Sequence, residues 1–266
     1  QTCVDGVFTT DEVCTGSCSP TTGCTSCTPG VNTCNGDNVV ACNPDGSFGN
    51  VIEMCTAGEE CNAGVCTRAC TADGVDLIYV VDETYRLLSF DPRLVGVGNP
   101  FTLIGDLNCS PQLGNVPGWG GIGVTPFSMS VDREATAWVL YTSGEIFKVS
   151  TQDASCQASG YTARQNNQLL FGMGFVSDAV GSDNETLFCG GGDPDAESNN
   201  RTLSSINKMS LTNTIIGPMN TASQYSPELT GTGNAELFGF YPGVNNAFVQ
   251  QIDKTTGGGI GQQYAI

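Results

Sequence analysis

The chain contains no histidine, and only nine of its 266 residues are basic. Without imidazole there is no Ser-His-Asp or Cys-His catalysis, no histidine metal site and no haem attachment through C-x2-C-H. Nine basic against 27 acidic residues give a net charge of −18, which excludes a nucleic-acid surface and disfavours anionic membranes. The acidic residues are scattered and read as solubilising charge. Only 14% of residues are charged, so the surface is expected to be largely Asn, Thr, Ser, Gln and Gly. No apolar run approaches the ~20 residues that span a bilayer, so no membrane span is expected. The Gly-rich stretches at 118–123 and 257–261 lack the Lys and the following helix of a phosphate cradle. No segment holds a helical period beyond two turns, which leaves an all-β chain.

Cysteine is present in excess and unevenly. Eleven of fourteen fall in the first seventy residues: Cys3, Cys14, Cys18, Cys24, Cys27, Cys34, Cys42, Cys55, Cys61, Cys66 and Cys70. The same segment has few large apolar side chains and is otherwise Thr, Gly, Asn and Pro. Such a module needs covalent staples, and disulfides persist in oxidising compartments. Zinc is the rival reading, because Cys14/Cys18, Cys24/Cys27 and Cys66/Cys70 have ligand-like spacings; it has no His to draw on and too many surplus thiols. A disulfide-rich module over 1–73 is therefore expected, in a protein that is secreted or on the outer cell surface. The chain opens at Gln1 on a polar stretch, as a mature, processed form would. Within the module, Asn35-Gly36-Asp37-Asn38 before Val39-Val40 and Asn43-Pro44-Asp45-Gly46 after Cys42 predict a short hairpin.

Beyond Cys70 the pattern becomes strand, turn, strand. Leu77–Val81 and Tyr85–Phe90 flank Asp82-Glu83-Thr84. The unit returns at Ala137, Thr186 and Glu236, at intervals of 60, 49 and 50 residues. A period near fifty with Gly-rich junctions predicts a β-propeller over 74–266, with four or more blades. A propeller must close, because open edges invite association. Three closures are compatible with the length: a small ring of four or five blades, a ring with strands beyond Ile266, or closure in trans by another chain.

Three cysteines lie in this second region. Cys109 and Cys156 flank the second hairpin and form the best single disulfide candidate. Eleven N-terminal cysteines cannot all pair among themselves, so parity favours a bridge from Cys189 to the module; a buried free thiol is the alternative.

The pattern C-x6-C-x7-C, then DG, then C-x5-C-x4-C, leads into LIYVVDETYRLLSFDP (77–92) and FSMSVDREATAWVLYTSGEIFKVSTQDASC (127–156). It resembles secreted Cys-rich β-propeller proteins of myxobacteria and related bacteria. The resemblance implies an exported bacterial propeller and little chemistry, because those proteins are mostly uncharacterised. It also implies a propeller that continues past the equivalent of Ile266.

Carboxylates are the remaining catalytic groups. Asp82, Asp132 and Asp178 each follow an apolar strand at a hairpin turn. Converging on one face they would suit Ca2+ or glycoside cleavage; as Asx-turn caps they would be structural, and their repetition favours caps. Asp193 and Asp195, in the expanded third hairpin, are the candidate Ca2+ ligands, and no other cofactor is called for. Trp119, Tyr161 and Tyr225 are candidates for an aromatic binding surface, whereas Trp138 reads as blade core. Asn108, Asn184 and Asn200 match glycosylation acceptors. The sequence thus predicts a non-enzymatic extracellular structural or binding protein, in adhesion or as a subunit of a surface appendage. Its partners would be other extracellular proteins, copies of itself or glycans. The alternative is a Ca2+- or carboxylate-dependent carbohydrate-active or sugar-binding propeller.

Overall fold

The computed structural model describes residues 3–4, 7–8, 18–19, 23–56, 59–68, 77–118, 123–192, 201–219, 226–243 and 247–266. The chain divides into two compact units, Gln1–Thr71 and Ala72–Ile266.

The first unit is made of short antiparallel pieces. β1 (Cys3–Val4) pairs with β2 (Val7–Phe8), and β3 (Cys18–Ser19) with β4 (Gly23–Cys24). β5 (Thr33–Asn35), β6 (Asn38–Cys42) and β7 (Phe48–Met54) form a three-stranded sheet, its first hairpin turning at Gly36-Asp37. β8 (Glu59–Asn62) pairs with β9 (Val65–Arg68). Among the described residues of this unit only Val39, Val40 and a few neighbours are buried, too few for apolar burial alone to hold them. Disulfides Cys27–Cys42, Cys34–Cys61 and Cys55–Cys66 supply the restraint, closing overlapping loops of 15, 27 and 11 residues. Each such loop restricts the unfolded chain by roughly 3 kcal/mol.

The second unit is a β-propeller arc of four meander sheets. Blade 1 holds β10 (Ile78–Val81), β11 (Arg86–Phe90) and β12 (Phe101–Asp106). Blade 2 holds β13 (Pro126–Val131), β14 (Thr136–Tyr141), β15 (Ile146–Ser150) and β16 (Cys156–Ala158). Blade 3 holds β17 (Phe171–Ser177), β18 (Glu185–Gly191), β19 (Thr202–Ile206) and β20 (Asn213–Pro218). Blade 4 holds β21 (Glu228–Gly231), β22 (Leu237–Tyr241), β23 (Phe248–Ile252) and β24 (Gly259–Ala265). The first strands β10, β13, β17 and β21 lie beside one another in chain order, which makes them the inner strands of radial blades.

Period-two alternation builds the core. In β14, Ala137, Val139 and Tyr141 face blade 1 with Leu87, while Trp138 and Leu140 face blade 3 with Phe171, Met173 and Leu187. The third core joins Val176, Phe188 and Leu203 of blade 3 to Leu229, Leu237, Tyr241 and Ile252 of blade 4. A strand buried on both faces reads as a continuous apolar run, and TAWVLY is one. Blades 3 and 4 approach closest at glycine. A Cβ on Gly172 would lie 2.1 Å from the Pro227 carbonyl oxygen, and one on Gly174 would lie 2.9 Å from the Leu229 carbonyl carbon.

The two cysteine expectations for this unit part company. Cys109 and Cys156 form a disulfide, tying the strand-free segment after blade 1 to β16. Cys189 forms no bridge to the first unit: it is a free, fully buried thiol. It points the same way as Leu187 on β18, into the core between blades 2 and 3. The parity argument missed this because a buried cysteine packs as a small apolar residue. Cys14 and Cys70 lie outside the described residues, and of Cys3, Cys18 and Cys24 the structure describes the backbone alone.

Candidate functional site

The turn carboxylates are held by their own hairpins. Asp82 Oδ1 accepts from the Thr84 and Arg86 N–H groups at 2.9 and 3.0 Å. Asp132 Oδ1 accepts from Glu134 and Thr136 N–H in the same way, and Trp138 Nε1 donates to its Oδ2 at 3.0 Å. In blades 1, 2 and 4 the turn is one device: the fourth residue (Tyr85, Ala135, Ala235) has a positive φ and bonds back to Asp82, Asp132 or Thr232. Blade 3 has a longer turn, where Asp178 Oδ1 accepts from Thr186 Oγ1 at 2.7 Å. These three aspartates belong to separate turns. The backbone N–H and the guanidinium of Arg86, with Thr84, hold Asp82 well below the usual carboxylate range.

One acidic group does assemble. Carboxylate oxygens of Asp132, Glu134 and Glu185 lie within 4.8 Å of one another, a spacing that could hold a cation. A side chain already stands there. Lys208 Nζ, from the turn after β19, lies 3.3 Å from Asp132, 2.5 Å from Glu134 and 3.0 Å from Glu185. Burial alone would lower this ammonium, but the hydrogen bonds to Glu134 and Glu185 and the Asp132 charge hold it above its ordinary value. Its hydrogen bond in turn pulls Glu134 down. Arg133 adds a second cation, its N–H on Glu185 and its guanidinium on Ser177 Oγ. The cluster pins the turn of blade 2 to two elements of blade 3, and its chemistry is that of an ion-pair staple.

A third carboxylate lies among the inner strands. Glu228, at the start of β21, accepts from Ser128 Oγ of β13 at 2.8 Å. Ser128 Oγ in turn accepts the Met173 N–H of β17 at 3.1 Å, and Ser130 Oγ accepts that of Phe175 at 2.9 Å. Side chains of blade 2 thus cap the inner edge of blade 3, and Glu228 links blades 2 and 4 past Gly172. Solvent reaches Glu228, yet the strands around it push its carboxyl above the ordinary value through desolvation, opposed by the Ser128 hydrogen bond. Nothing in the sequence marks a pair 100 residues apart.

Exposed apolar residues gather at the two ends of the arc. On the face of blade 1 turned away from blade 2, the register builds two apolar rows: Ile78–Phe90–Phe101 and Val80–Leu88–Leu103. Ile78, Phe101 and Leu103 are 53%, 44% and 54% exposed, and the other three are half-buried. On the face of blade 4 turned away from blade 3 the rows are Glu228–Phe240–Val249–Tyr264 and Thr230–Phe238–Gln251–Ile260. Phe240, Ile260 and Tyr264 are exposed there.

No family model matches the chain, and no curated protein does. Solved structures do. A chain of Kuenenia stuttgartiensis hydrazine synthase matches at 12% identity and a TM-score of 0.39, over 73% of this chain and 47% of that one. A chain of the nidogen/laminin complex matches at 13% and 0.37, over 82% and 71%. The Dos1 propeller matches at 12% and 0.38, over 77% and 50%. This chain therefore spans about half the length of two of the three. Likeness this distant carries no activity or partner across.

The remaining sequence candidates are scattered. Tyr161, expected on a binding surface, is 7% exposed and packs in the core with Leu170 and Ile206. Burial pushes its hydroxyl up to about 12. A tyrosine in the loop SGYTARQ carries no periodicity to say which way it faces. Trp138 is fully buried. Trp119, Tyr225, Asp193, Asp195 and Asn200 lie outside the described residues, while Asn108 and Asn184 are exposed. The apolar rows were within reach of sequence reasoning: Leu77–Val81 carries a large apolar residue at every position, the mark of a strand meant for cover on both faces.

Proposed function

We propose that the protein is an extracellular scaffold or binding protein, an adhesin or a subunit of a surface appendage, that works through its blade faces. The observation that carries this reading is the pair of uncovered end faces, above all the six-residue apolar ladder of blade 1. A contiguous exposed apolar patch on a protein of −18 net charge is an interaction surface in want of a partner. The carboxylates support the same reading, because Asp82, Asp132 and Asp178 bond within their turns and Lys208 engages the one acidic trio among the described residues. Four disulfides among the described residues fit an oxidising compartment. No helix among the described residues is long and apolar enough to cross a membrane. The chain is, on this reading, an exported relative of the Cys-rich propeller proteins of myxobacteria.

The test is adhesion by the purified chain, measured on whole bacterial cells and on an array of extracellular glycans. Binding that Leu103→Lys weakens at least tenfold is the expected result. Turnover of an arrayed glycan, insensitive to Leu103→Lys and lost with Glu228→Gln, would establish the carbohydrate-active alternative instead.

A further inference from the structure

We infer that the core between blades 2 and 3 contains a buried water-binding site, formed by Tyr161, Ser204 and Asn213. Among the described residues, six buried side-chain atoms have no hydrogen-bond partner: Tyr161 Oη, Arg164 Nε, Gln168 Oε1, Ser204 Oγ, Asn213 Nδ2 and Asn213 Oδ1. All six belong to residues 159–170, the connection from β16 to β17, or to β19 and β20. Three of these residues share one face. The register sets Ser204 opposite Cys189, and Asn213 opposite Ile206, which stands opposite Leu187. Directly opposed residues project from the same side of a sheet. Leu187, Cys189 and Ile206 line the core that Tyr161 enters. Ser204, Asn213 and Tyr161 are 0%, 3% and 7% exposed, so bulk solvent does not serve them.

The backbone of Asn213 is already committed to the connection. Its N–H donates to Gln165 Oε1 at 3.0 Å, and its carbonyl accepts from Asn166 Nδ2 at 2.7 Å. The side-chain amide must therefore find its partners inside. Burial raises the Tyr161 hydroxyl and Asn213 beside it pulls back; burial raises the Cys189 thiol and Ser204 pulls back. The polar groups are thus neighbours, yet Tyr161, Ser204 and Asn213 form no hydrogen bond with one another. Such an arrangement suits a third molecule that bonds to several of them. Its chemistry follows from theirs. Two hydroxyls and an amide both donate and accept, and none carries a charge to balance an ion. The walls are otherwise apolar, with Leu170, Leu187 and Ile206. The ligand is therefore small, uncharged, and both donor and acceptor, which is water. A buried water makes about three hydrogen bonds. Tyr161 Oη, Ser204 Oγ and the two Asn213 atoms are enough to hold one. Each of these atoms left unserved would weaken folding by roughly tenfold. Bound water thus ties the connection to β19 and β20 from inside, as Gln165 and Asn166 tie it from outside.

The experiment pairs a high-resolution crystal structure of the full chain with denaturant unfolding of two variants. Density is expected for a water bonded to the Asn213 side chain and to Tyr161 Oη or Ser204 Oγ. Tyr161→Phe keeps the ring and removes only the hydroxyl, and Ser204→Ala does the same on β19. Unfolding is followed by tryptophan fluorescence, because Trp138 lies in this core. A hydroxyl that bonds to water contributes about one net hydrogen bond, so each variant should lower the folding constant about fivefold. An unserved hydroxyl is better removed, and its loss would raise the constant. An unchanged or higher constant for both variants overturns the inference. So does a crystal structure in which Tyr161 bonds directly to Asn213, or in which no water touches Asn213. The direct bond would also make Tyr161→Phe destabilising, and the density separates that case from the hydrated one.

Discussion

Glu228 and the turn aspartates titrate with opposite effects on stability. Glu228 has its carboxyl raised above the ordinary 4.5, chiefly by desolvation. The stability tied to it is full below that value and is lost as pH rises through the folded pKa. Asp45, Asp82, Asp153 and Asp253 are depressed, chiefly by hydrogen bonds within their turns. Their share is present above the ordinary 3.8 and is lost as pH falls. The two trends predict a thermal midpoint that peaks in mildly acidic solution and declines toward neutrality, read by calorimetry between about pH 3 and 8. Glu228→Gln should flatten the neutral side of that profile and leave the acid side unchanged. A second residue-scale expectation concerns Cys189, whose thiol burial pushes far up. Peptide mapping should find Cys189 alkylated by iodoacetamide only after denaturation; labelling of the native protein would place it in a less enclosed site. Asp132 and Asp82 were readable as caps because an Asx turn is local. The Cys189 environment was not, because a count of cysteines ignores the face on which each one points.

At the scale of elements, the blades are joined by devices that couple distant segments. Lys208 belongs to the turn after β19 and meets Glu134, 74 residues earlier in the chain. Replacing it by Met leaves Asp132, Glu134 and Glu185 with only the Arg133 guanidinium, 3.9 Å from Glu185, to balance them, a loss of about 3 kcal/mol by the usual cost of an orphaned ion-pair partner. For a domain of this size that is a fall of roughly 6–12 °C in Tm. The same variant clears the position between three carboxylates, so millimolar Ca2+ should recover part of the loss; the wild type should show no comparable response. Calorimetry of both proteins with Ca2+ and with chelator decides it. Gly172 offers a control of another kind, since its missing side chain admits the Pro227 carbonyl. Gly172→Ala should separate β17 from β21 at a cost of about 3 kcal/mol, the upper range for overpacking. Strand positions were legible here, because apolar runs such as TAWVLY and LIYVV mark both-face burial. The staples were not, since a lysine in a hairpin turn looks solvated until the fold supplies its partners.

At the scale of the molecule, the two units owe their stability to different forces, and a reductant should separate them. Among its described residues the first unit buries few apolar side chains and holds three disulfides, whose loops overlap along 27–66. The second buries three apolar cores and holds one, Cys109–Cys156. Reduction removes roughly 3 kcal/mol per loop, several times what so small an apolar core can spare. In the second unit the single loop of 47 residues is worth about 4 kcal/mol, set against cores that include Trp138, Phe171 and Tyr241. Native-state hydrogen exchange with and without reductant tests the difference. Amides of β5, β6 and β7 should lose protection on reduction, while those of β14 and β18 should keep theirs. Equal loss in both units would mean that Cys109–Cys156 holds the propeller as the other bridges hold the module. The asymmetry of cysteines along the chain made this partition readable from sequence, because a segment with few large apolar residues depends on covalent staples to stay folded. The uncovered end faces were not readable in the same way. A continuous apolar strand announces that both of its faces want cover, and only the assembled blades show which faces already have it.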